Sequence, residues 1–277
     1  MPFRFDWDGH VHSGMCPHGS GHPTRDYIER AIQIGFKRIS ILEHYPLPPD
    51  FPIPQTRLPV CFGPEMIDTF LEKTLKLRDE YAGEIDVLVG FEWDFHPGRE
   101  EWLKEQLDRI GPLTQDGMLS VHYLEEGIIN ETAEFFMRDV MPRVGGKLET
   151  AYERYYEVLL QAVEADLGPY KPRRLGHLNL IRKFQRALPA PHDYRGKIMK
   201  IIYEVQKRSM QLDFNMSGLR KPLCQEPYLP AWLIKEIAQG KLDIEVVYGS
   251  DAHSPSEVGW GLEEAKALVE SITKNTP

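Results

Sequence analysis

The sequence predicts an α/β protein: a parallel sheet covered by helices and closed into a barrel, as a single domain over residues 1–277. Two observations carry this prediction. Short apolar or β-branched runs alternate with longer stretches of helical period roughly seven times. No composition break, linker, internal repeat or low-complexity tract interrupts the series, and an uninterrupted series favours closure over an open sheet.

In chain order, strands are expected at Arg4–Trp7, Arg38–Leu42, Ile85–Phe91, Met118–Val121, Arg174–Leu178, Leu212–Asn215 and Ile244–Gly249. Helices are expected at Arg25–Ile34, Glu65–Tyr81, Glu100–Arg109, Leu148–Asp166, Arg195–Met210, Pro230–Ala238 and Leu262–Ile272. The first helix shows the reasoning: Thr24 can cap its start, Tyr27, Ile28, Ala31 and Ile34 form one apolar stripe, and Gly35 suits the position after its end. Pro46–Pro64 holds seven of the 22 prolines without a usable period and is expected to be a long loop.

Composition narrows the function. Hydrophobic residues at 42% and charged residues at 27% are ordinary for a globular chain. No apolar run reaches the roughly 18 residues of a membrane span, and the N-terminus lacks a signal-peptide pattern. Three cysteines, Cys16, Cys61 and Cys224, suggest reduced thiols and a cytoplasmic location. A formal net charge of −9 disfavours nucleic-acid or membrane partners. It leaves an anionic small molecule open, because bound cations can dominate a site. The oligomeric state is left open.

The ionisable residues gather at predicted strand ends. His10 and His12 follow the first strand, Glu43 and His44 end the second, and Glu92 and Asp94 end the third. His122, His177 and the pair Asp251 and His253 end later strands. In a parallel barrel all these ends open on one face, where such folds place their active sites. Taken singly, each residue has a plain structural role: a lone strand-end histidine is usually a hydrogen-bonded one, and an acid there often caps a helix. Together, so many imidazoles and carboxylates on one rim need cations to be tolerated. Imidazole and carboxylate without a clear cysteine pair point to Zn, Fe or Mn. Two or three closely spaced ions suit phosphate-ester hydrolysis, holding hydroxide near neutral pH and neutralising phosphoryl oxygens.

These residues carry a resemblance. H-V-H, E-H, Glu92, His122, His177 and S-D-A-H are similar to the PHP (polymerase and histidinol phosphatase) superfamily. The segments C-P-H-x3-H-P, E-H-x-P-L-P, F-E-x-D-F-H-P-G, S-V-H-Y-L, G-H-L-x-L-x-x-K-F, N-x-S-G-L-R-K-P and G-S-D-A-H resemble its monofunctional histidinol-phosphatase branch. The likeness runs from Asp8 to about Gly261. It implies a distorted (β/α)7, TIM-like barrel with a trinuclear metal centre. His10, His12, Glu92 and Asp251 would hold one ion, and Glu92 would bridge to a second held by His122 and His177. His18, His44 and His253 would hold the third. Glu92, His10, Asp251 and His253 are the residues implied to be catalytic. The implied reaction converts L-histidinol phosphate and water into L-histidinol and phosphate, in histidine biosynthesis. Another PHP phosphoesterase, or a catalytically silent metal-binding protein, is the competing reading.

Around this centre, Arg220 and Lys183 are expected to grip the phosphate. Glu43 and Asp94 are expected to receive the cationic groups of the substrate. Glu43 stands where much of the superfamily has Asp, so it is not placed among the ligands. His22 and His96 read as support, His192 as an ordinary exposed residue, and Cys16 as a neighbour of the metals. Trp93, Trp102, Trp232 and Trp260 read as packing residues, and Tyr123 as a residue at the pocket mouth.

Overall fold

A computed structural model describes residues 2–52, 55–56 and 58–274. Its main sheet is made of β1 (Phe3–Arg4), β2 (Trp7–Val11), β3 (Arg38–His44), β4 (Asp86–Asp94), β5 (Asp116–Ser120), β8 (Arg174–Leu175), β9 (Gln211–Asn215) and β10 (Val246–Gly249). A hairpin of β6 (Tyr123–Leu124) and β7 (Gly127–Ile128) stands apart. The eight strands run in the order β1-β10-β9-β8-β5-β4-β3-β2, and every pair is parallel.

The two outer strands of that order are pieces of one stave. β1 pairs with β10 low in the barrel, and β2 pairs with β3. Beyond β10 the chain meets β2 again: the His12 amide donates to Ala252 O at 2.9 Å and the Asp251 amide to His10 O at 2.7 Å. The barrel therefore nearly closes, with its first stave broken between Arg4 and Trp7. The strand expected at Arg4–Trp7 spans that break, and the piece that matters, Trp7–Val11, lies further along. Its sequence, WDGHV, is too polar to read as a strand, yet all five residues are buried. Thus His10 sits within the strand rather than after it. A bulge between Asp8 and Val11 shifts the register and turns the stave toward the rim. Gly9 permits this close packing, since a Cβ there would lie 2.5 Å from Val247 Cγ1.

The helices are α1 (Thr24–Ile34), α2 (Ile67–Tyr81), α3 (Glu100–Ile110), the short α4 (Ala133–Phe135), α5 (Leu148–Glu164), α6 (Arg195–Lys207), α7 (Ala231–Ala238) and α8 (Leu262–Lys274). Each long helix buries one stripe against the sheet; in α1 these are Tyr27, Ile28 and Ala31. Thr24 does not cap α1 as expected. It is the first helical residue, and its Oγ1 accepts from the Gly14 amide at 3.1 Å, tying the histidine-rich loop to the helix. Gly35 closes α1 in the left-handed region, φ 94°, where a side chain would be strained. The β6–β7 hairpin and the helical stretch 133–144 form an insertion that periodicity did not disclose. Residues 53, 54 and 57 of the long Pro46–Pro64 loop lie outside the described residues. No helix among the described residues is long and apolar enough to cross a membrane.

At the N-terminal mouth a polar plug fills the barrel. Trp7 Nε1 donates to Ser40 Oγ at 2.9 Å, and that hydroxyl donates to Asp116 Oδ2 at 2.6 Å. Arg174, fully buried, donates from Nη2 to Gly9 O at 2.8 Å and to Asp116 Oδ2, with its guanidinium 4.8 Å from the centre of the Trp7 ring.

Candidate metal centre

Side chains at the C-terminal ends of the strands converge as the sequence expects. β2 and the turn after it supply His10 and His12; β3 ends on Glu43 and His44; β4 ends with Glu92 and Asp94. His122 and His177 follow β5 and β8 by two residues, and Asp251 and His253 follow β10. The rings of His10 and His12 are 5.3 Å apart, those of His12 and His253 4.1 Å, and those of His122 and His177 4.6 Å.

Glu92 is the hub. Its Oε2 lies 3.5 Å from His10 Nε2, 3.6 Å from His12 Nε2 and 3.2 Å from His44 Nδ1. Its Oε1 accepts from His177 Nε2 at 2.9 Å and from Ser120 Oγ at 2.6 Å, and stands 3.7 Å from His122 Nε2. Asp251 Oδ1 is 3.7 Å from His10 Nε2 and 3.5 Å from His12 Nε2. Ligand atoms fall into three mutually close groups: His10, His12 and Glu92; Glu92, His122 and His177; and His12, Cys16, His44 and His253. In the third group Cys16 stands where the sequence reading put His18. The nitrogen His18 Nε2 is nonetheless 3.1 Å from His253 Nε2, so His18 adjoins that group. Burial and Glu43 both push the Cys16 thiol up, which keeps its proton in place.

The outer contacts of the histidines decide whether cations fit. His10 Nδ1 donates to Asp213 Oδ2 at 2.9 Å and His122 Nδ1 to Asp94 Oδ1 at 2.9 Å. His253 Nδ1 donates to Asp251 O at 3.2 Å, and His18 Nδ1 to Pro59 O at 3.1 Å. With Nδ1–H engaged outward, each ring turns Nε2 toward the cluster, the usual way a protein orients a metal-binding imidazole. Facing the cluster, His10 Nε2 and the ring nitrogens of His12 are buried without hydrogen-bond partners. Lone pairs in that condition are costly unless something accepts them. The donor set fits divalent cations.

Burial would push His10 and His12 down. The carboxylates around them outweigh it: Asp251, Glu92 and Asp213 raise His10 well above its usual range, and Asp251 and Glu43 bring His12 to about 9. Burial likewise opposes ionisation of Glu92, yet His122 and His10 hold it well below the ordinary carboxylate range. Burial and the neighbouring His12 push His44 and His253 well below theirs. His10 and His12 are thus shifted in the opposite direction from His44 and His253.

A cavity of about 430 Å³ opens over this cluster. Glu92, His122, His177, Asp251 and His253 line it together with Lys183, Lys221, Tyr123 and Glu131. His10 and His12 lie fully buried beneath it. From the long loop, Leu58, Pro59 and Val60 also reach the cavity.

Three of the expected substrate contacts are placed differently. Glu43 is fully buried behind His12. Its carboxylate accepts from Ser13 Oγ at 2.7 Å and from the His44 amide at 3.0 Å, so it braces the ligand loops and does not face the cavity. Asp94 borders the cavity, but its Oδ1 is held by both the ring and the amide of His122. Arg220 reaches the wall too, yet donates from Nη1 to Ser250 O at 2.7 Å and from Nη2 to Asp251 O at 2.6 Å. Only Lys183 keeps the position expected of it, with Nζ donating to Asn130 O at the cavity wall. His22 is exposed and bonded to Ser20, away from the cluster. His96 packs 4.3 Å from Phe51, with burial pushing it down to about 4.

Sequence reasoning missed the supports. Asp213 and Asn215 stand two apart on β9, hence on one face, which turns inward. Asn215 Nδ2 donates to Asp251 Oδ2 at 3.2 Å, and Ser217 Oγ to the same atom at 2.9 Å. Two polar residues at period two in the buried strand LDFN were the available signal. Gly249 completes this support, because a Cβ there would lie 2.3 Å from Asp213 Oδ1.

Comparison with known proteins agrees with this geometry. The family model described as the PHP domain matches residues 8–217. The chain belongs to the PHP domain family. A relative from Bacillus subtilis named histidinol-phosphatase is 34% identical, over 92% of this chain and 96% of its own length. A solved structure from Listeria monocytogenes, provisionally named a histidinol phosphatase, superposes with a TM-score of 0.85 at 33% identity, covering 93% of this chain and 99% of that one. A second, from Lactococcus lactis and solved with zinc, L-histidinol and phosphate, covers 96% and 93% with a TM-score of 0.70. At 17% identity it speaks to the fold alone. The distorted barrel of this family is the fold described above, with a broken first stave.

Proposed function

We propose that this chain, one phosphatase domain over residues 1–277, is a histidinol-phosphatase. It would convert L-histidinol phosphate and water to L-histidinol and phosphate with two to three divalent ions, zinc, iron or manganese. The observation that carries the reading is the set of inward Nε2 atoms around Glu92 and Asp251, under a cavity walled by Lys183 and Lys221. The Bacillus subtilis relative, 34% identical, is a histidinol-phosphatase by name. Reduced cysteines and a biosynthetic role fit a cytoplasmic enzyme.

His10, His12, Glu92 and Asp251 would hold one ion, Glu92, His122 and His177 a second, and His44, His253 and His18 a third. Ions so held supply Lewis acidity, neutralising phosphoryl charge and making a water acidic enough to ionise near neutral pH. The protein does the placing. Lys183 and Lys221 line the same cavity as the carboxylates and offer two positive charges to the phosphate. Burial and the adjacent Lys221 bring Lys183 down to about 8, so it is charged at neutral pH but loses its proton readily above it. Glu131 is the acid on the wall able to face a substrate ammonium group, and Tyr123, Ile128 and Val60 offer apolar contact to an imidazole.

The test is a phosphate-release panel of histidinol phosphate, phosphotyrosine and nucleotides, run with measured metal content. Histidinol phosphate is expected to give the highest kcat/KM. Equal rates across the panel would leave a phosphoesterase of other specificity, and no turnover in the metal-loaded protein would favour the silent metal binder.

A further inference from the structure

We infer that Glu257, acting through Arg220 and His253, is a positioning residue that sets two ligands of the proposed metal centre at once. The inference rests on the metal-dependent reading above, but not on the identity of the substrate.

Asp251 and His253 stand two residues apart and serve different parts of the cluster. Asp251 faces His10 and His12, whereas His253 meets His18. The turn between them is unusual, because Asp251 has φ 53°, the left-handed region that a non-glycine residue occupies only when its surroundings hold it there. Nothing in a four-residue turn supplies such restraint. It comes from outside: the Asp251 amide donates to His10 O and the His12 amide to Ala252 O, and one guanidinium and one carboxylate hold the outer side of the turn.

Arg220 donates to the carbonyls on both sides of the Ser250–Asp251 link, at 2.7 and 2.6 Å. The planar fork suits this task, since two donors at fixed spacing can grip two acceptors together. The guanidinium lies 5.7 Å from the centre of the Trp260 ring, which limits its tilt. Glu257 then joins the parts. Its Oε1 is 3.3 Å from Arg220 Nε, and its Oε2 accepts the His253 amide at 2.8 Å. One carboxylate therefore pairs in charge with the fork that grips Asp251, without a hydrogen bond from Arg220 Nε, and accepts the His253 amide directly. Asn215 and Ser217 hold the Asp251 side chain from another side, so the Glu257 pair acts on the backbone, alongside the bonds from His10 and His12 to Asp251 and Ala252.

Removing the carboxylate frees the Arg220 fork to swing and leaves the His253 amide without its acceptor. Supports of this kind commonly change metal affinity by ten- to a hundredfold. His253, held on its backbone by Glu257, is expected to suffer first, so the outer ion is lost before the inner ones.

The experiment uses the intact metal-loaded protein and does not depend on substrate. Wild type, Glu257→Ala, Glu257→Gln and Arg220→Lys are dialysed against graded chelator, and ions per chain are counted by plasma mass spectrometry, with circular dichroism as the folding check. Glu257→Ala is expected to lose one ion at roughly ten- to a hundredfold weaker chelator than wild type. Glu257→Gln keeps an oxygen for the His253 amide and is expected to fall between the two. Arg220→Lys, a point charge unable to span two carbonyls, is expected to resemble Glu257→Ala. A folded Glu257→Ala that releases its ions with wild-type sensitivity overturns the inference while leaving the metal centre standing. Should Glu257→Ala not fold, Glu257→Gln and Arg220→Lys decide in the same way. A wild type that retains no ion overturns both the inference and the metal reading beneath it.

Discussion

At the N-terminal mouth of the barrel the partly buried carboxylate of Asp116 is met by Arg174, a permanent cation from the same chain. At the C-terminal mouth Glu92 and Asp251 face only imidazoles within ion-pair distance among the described residues. Both mouths leave some buried nitrogens unpaired, but of opposite kinds. Arg174 Nε and Nη1 are donors and can bind no cation, whereas His10 Nε2 and one nitrogen of neutral His12 can present a lone pair. The difference separates a polar network that finishes a fold from one that awaits a ligand. Burial and polarity alone do not make that distinction; the sign of the missing partner does.

The sharpest way to break the comparison is to remove the hub. Glu92→Ala or His10→Ala is expected to lower turnover by about a thousandfold or more and to reduce bound metal. Phosphate release together with ion counting checks this. Full activity in either variant would mean that the C-terminal mouth is, like the other end, only structure.

A smaller effect is expected at Asp213, whose Oδ2 takes the Nδ1 proton of His10. Asp213→Asn preserves shape but weakens the charged acceptor and lets the ring choose the wrong tautomer. Ten- to a hundredfold weaker metal binding is expected, with a similar loss in kcat/KM at limiting metal. Affinities measured by competition with a chelating dye would show it. Unchanged affinity would mean that His10 is oriented by packing alone.

Lys183 offers a pH signature. Its amine is lowered to about 8 by burial and by Lys221, so the free enzyme carries that charge below pH 8 and loses it above. If the ammonium grips phosphate, kcat/KM falls on the alkaline side with a midpoint near 8. Lys183→Met is expected to lower kcat/KM about tenfold at neutral pH and to flatten the alkaline limb. A limb unchanged in the variant would assign it to another group.

Much of this was legible in the sequence, for reasons that also explain the failures. Ligands stood out because imidazoles and acids at strand ends violate the ordinary pattern of such segments, and the barrel brings all strand ends together. The first strand was misplaced because its buried face is made of Asp8, Gly9 and His10, residues whose reason for burial lies in contacts more than two hundred positions away, such as the Ser250 amide on Asp8 Oδ1. Glu43, Asp94 and Arg220 are expected at the substrate from chemical type and place on the rim. Type does not reveal that each already serves a neighbour, as Arg220 serves the Ser250 and Asp251 carbonyls. Asp213 was hidden for the converse reason: it lies inside a strand, where an acid draws notice only once its partner is known.

The smallest effect on catalysis, and the largest on stability, is expected at the other mouth. Arg174→Met keeps most of the volume but leaves the Asp116 carboxylate with Ser40 alone, and breaking a buried pair in this way costs about 3–5 kcal/mol. Denaturant unfolding should show that loss, while ion content and kcat/KM stay within about twofold of wild type. The double change Arg174→Met with Asp116→Asn should recover part of the stability, because no charge is then buried without a partner. One contact makes the experiment informative about catalysis as well. Arg174 also donates to Gly9 O, next to His10, across the bulge that turns the first stave. If Arg174→Met sheds metal at wild-type fold content, the plug sets the position of His10 through that carbonyl. The two mouths would then be one network, rather than a structural end and a reactive one.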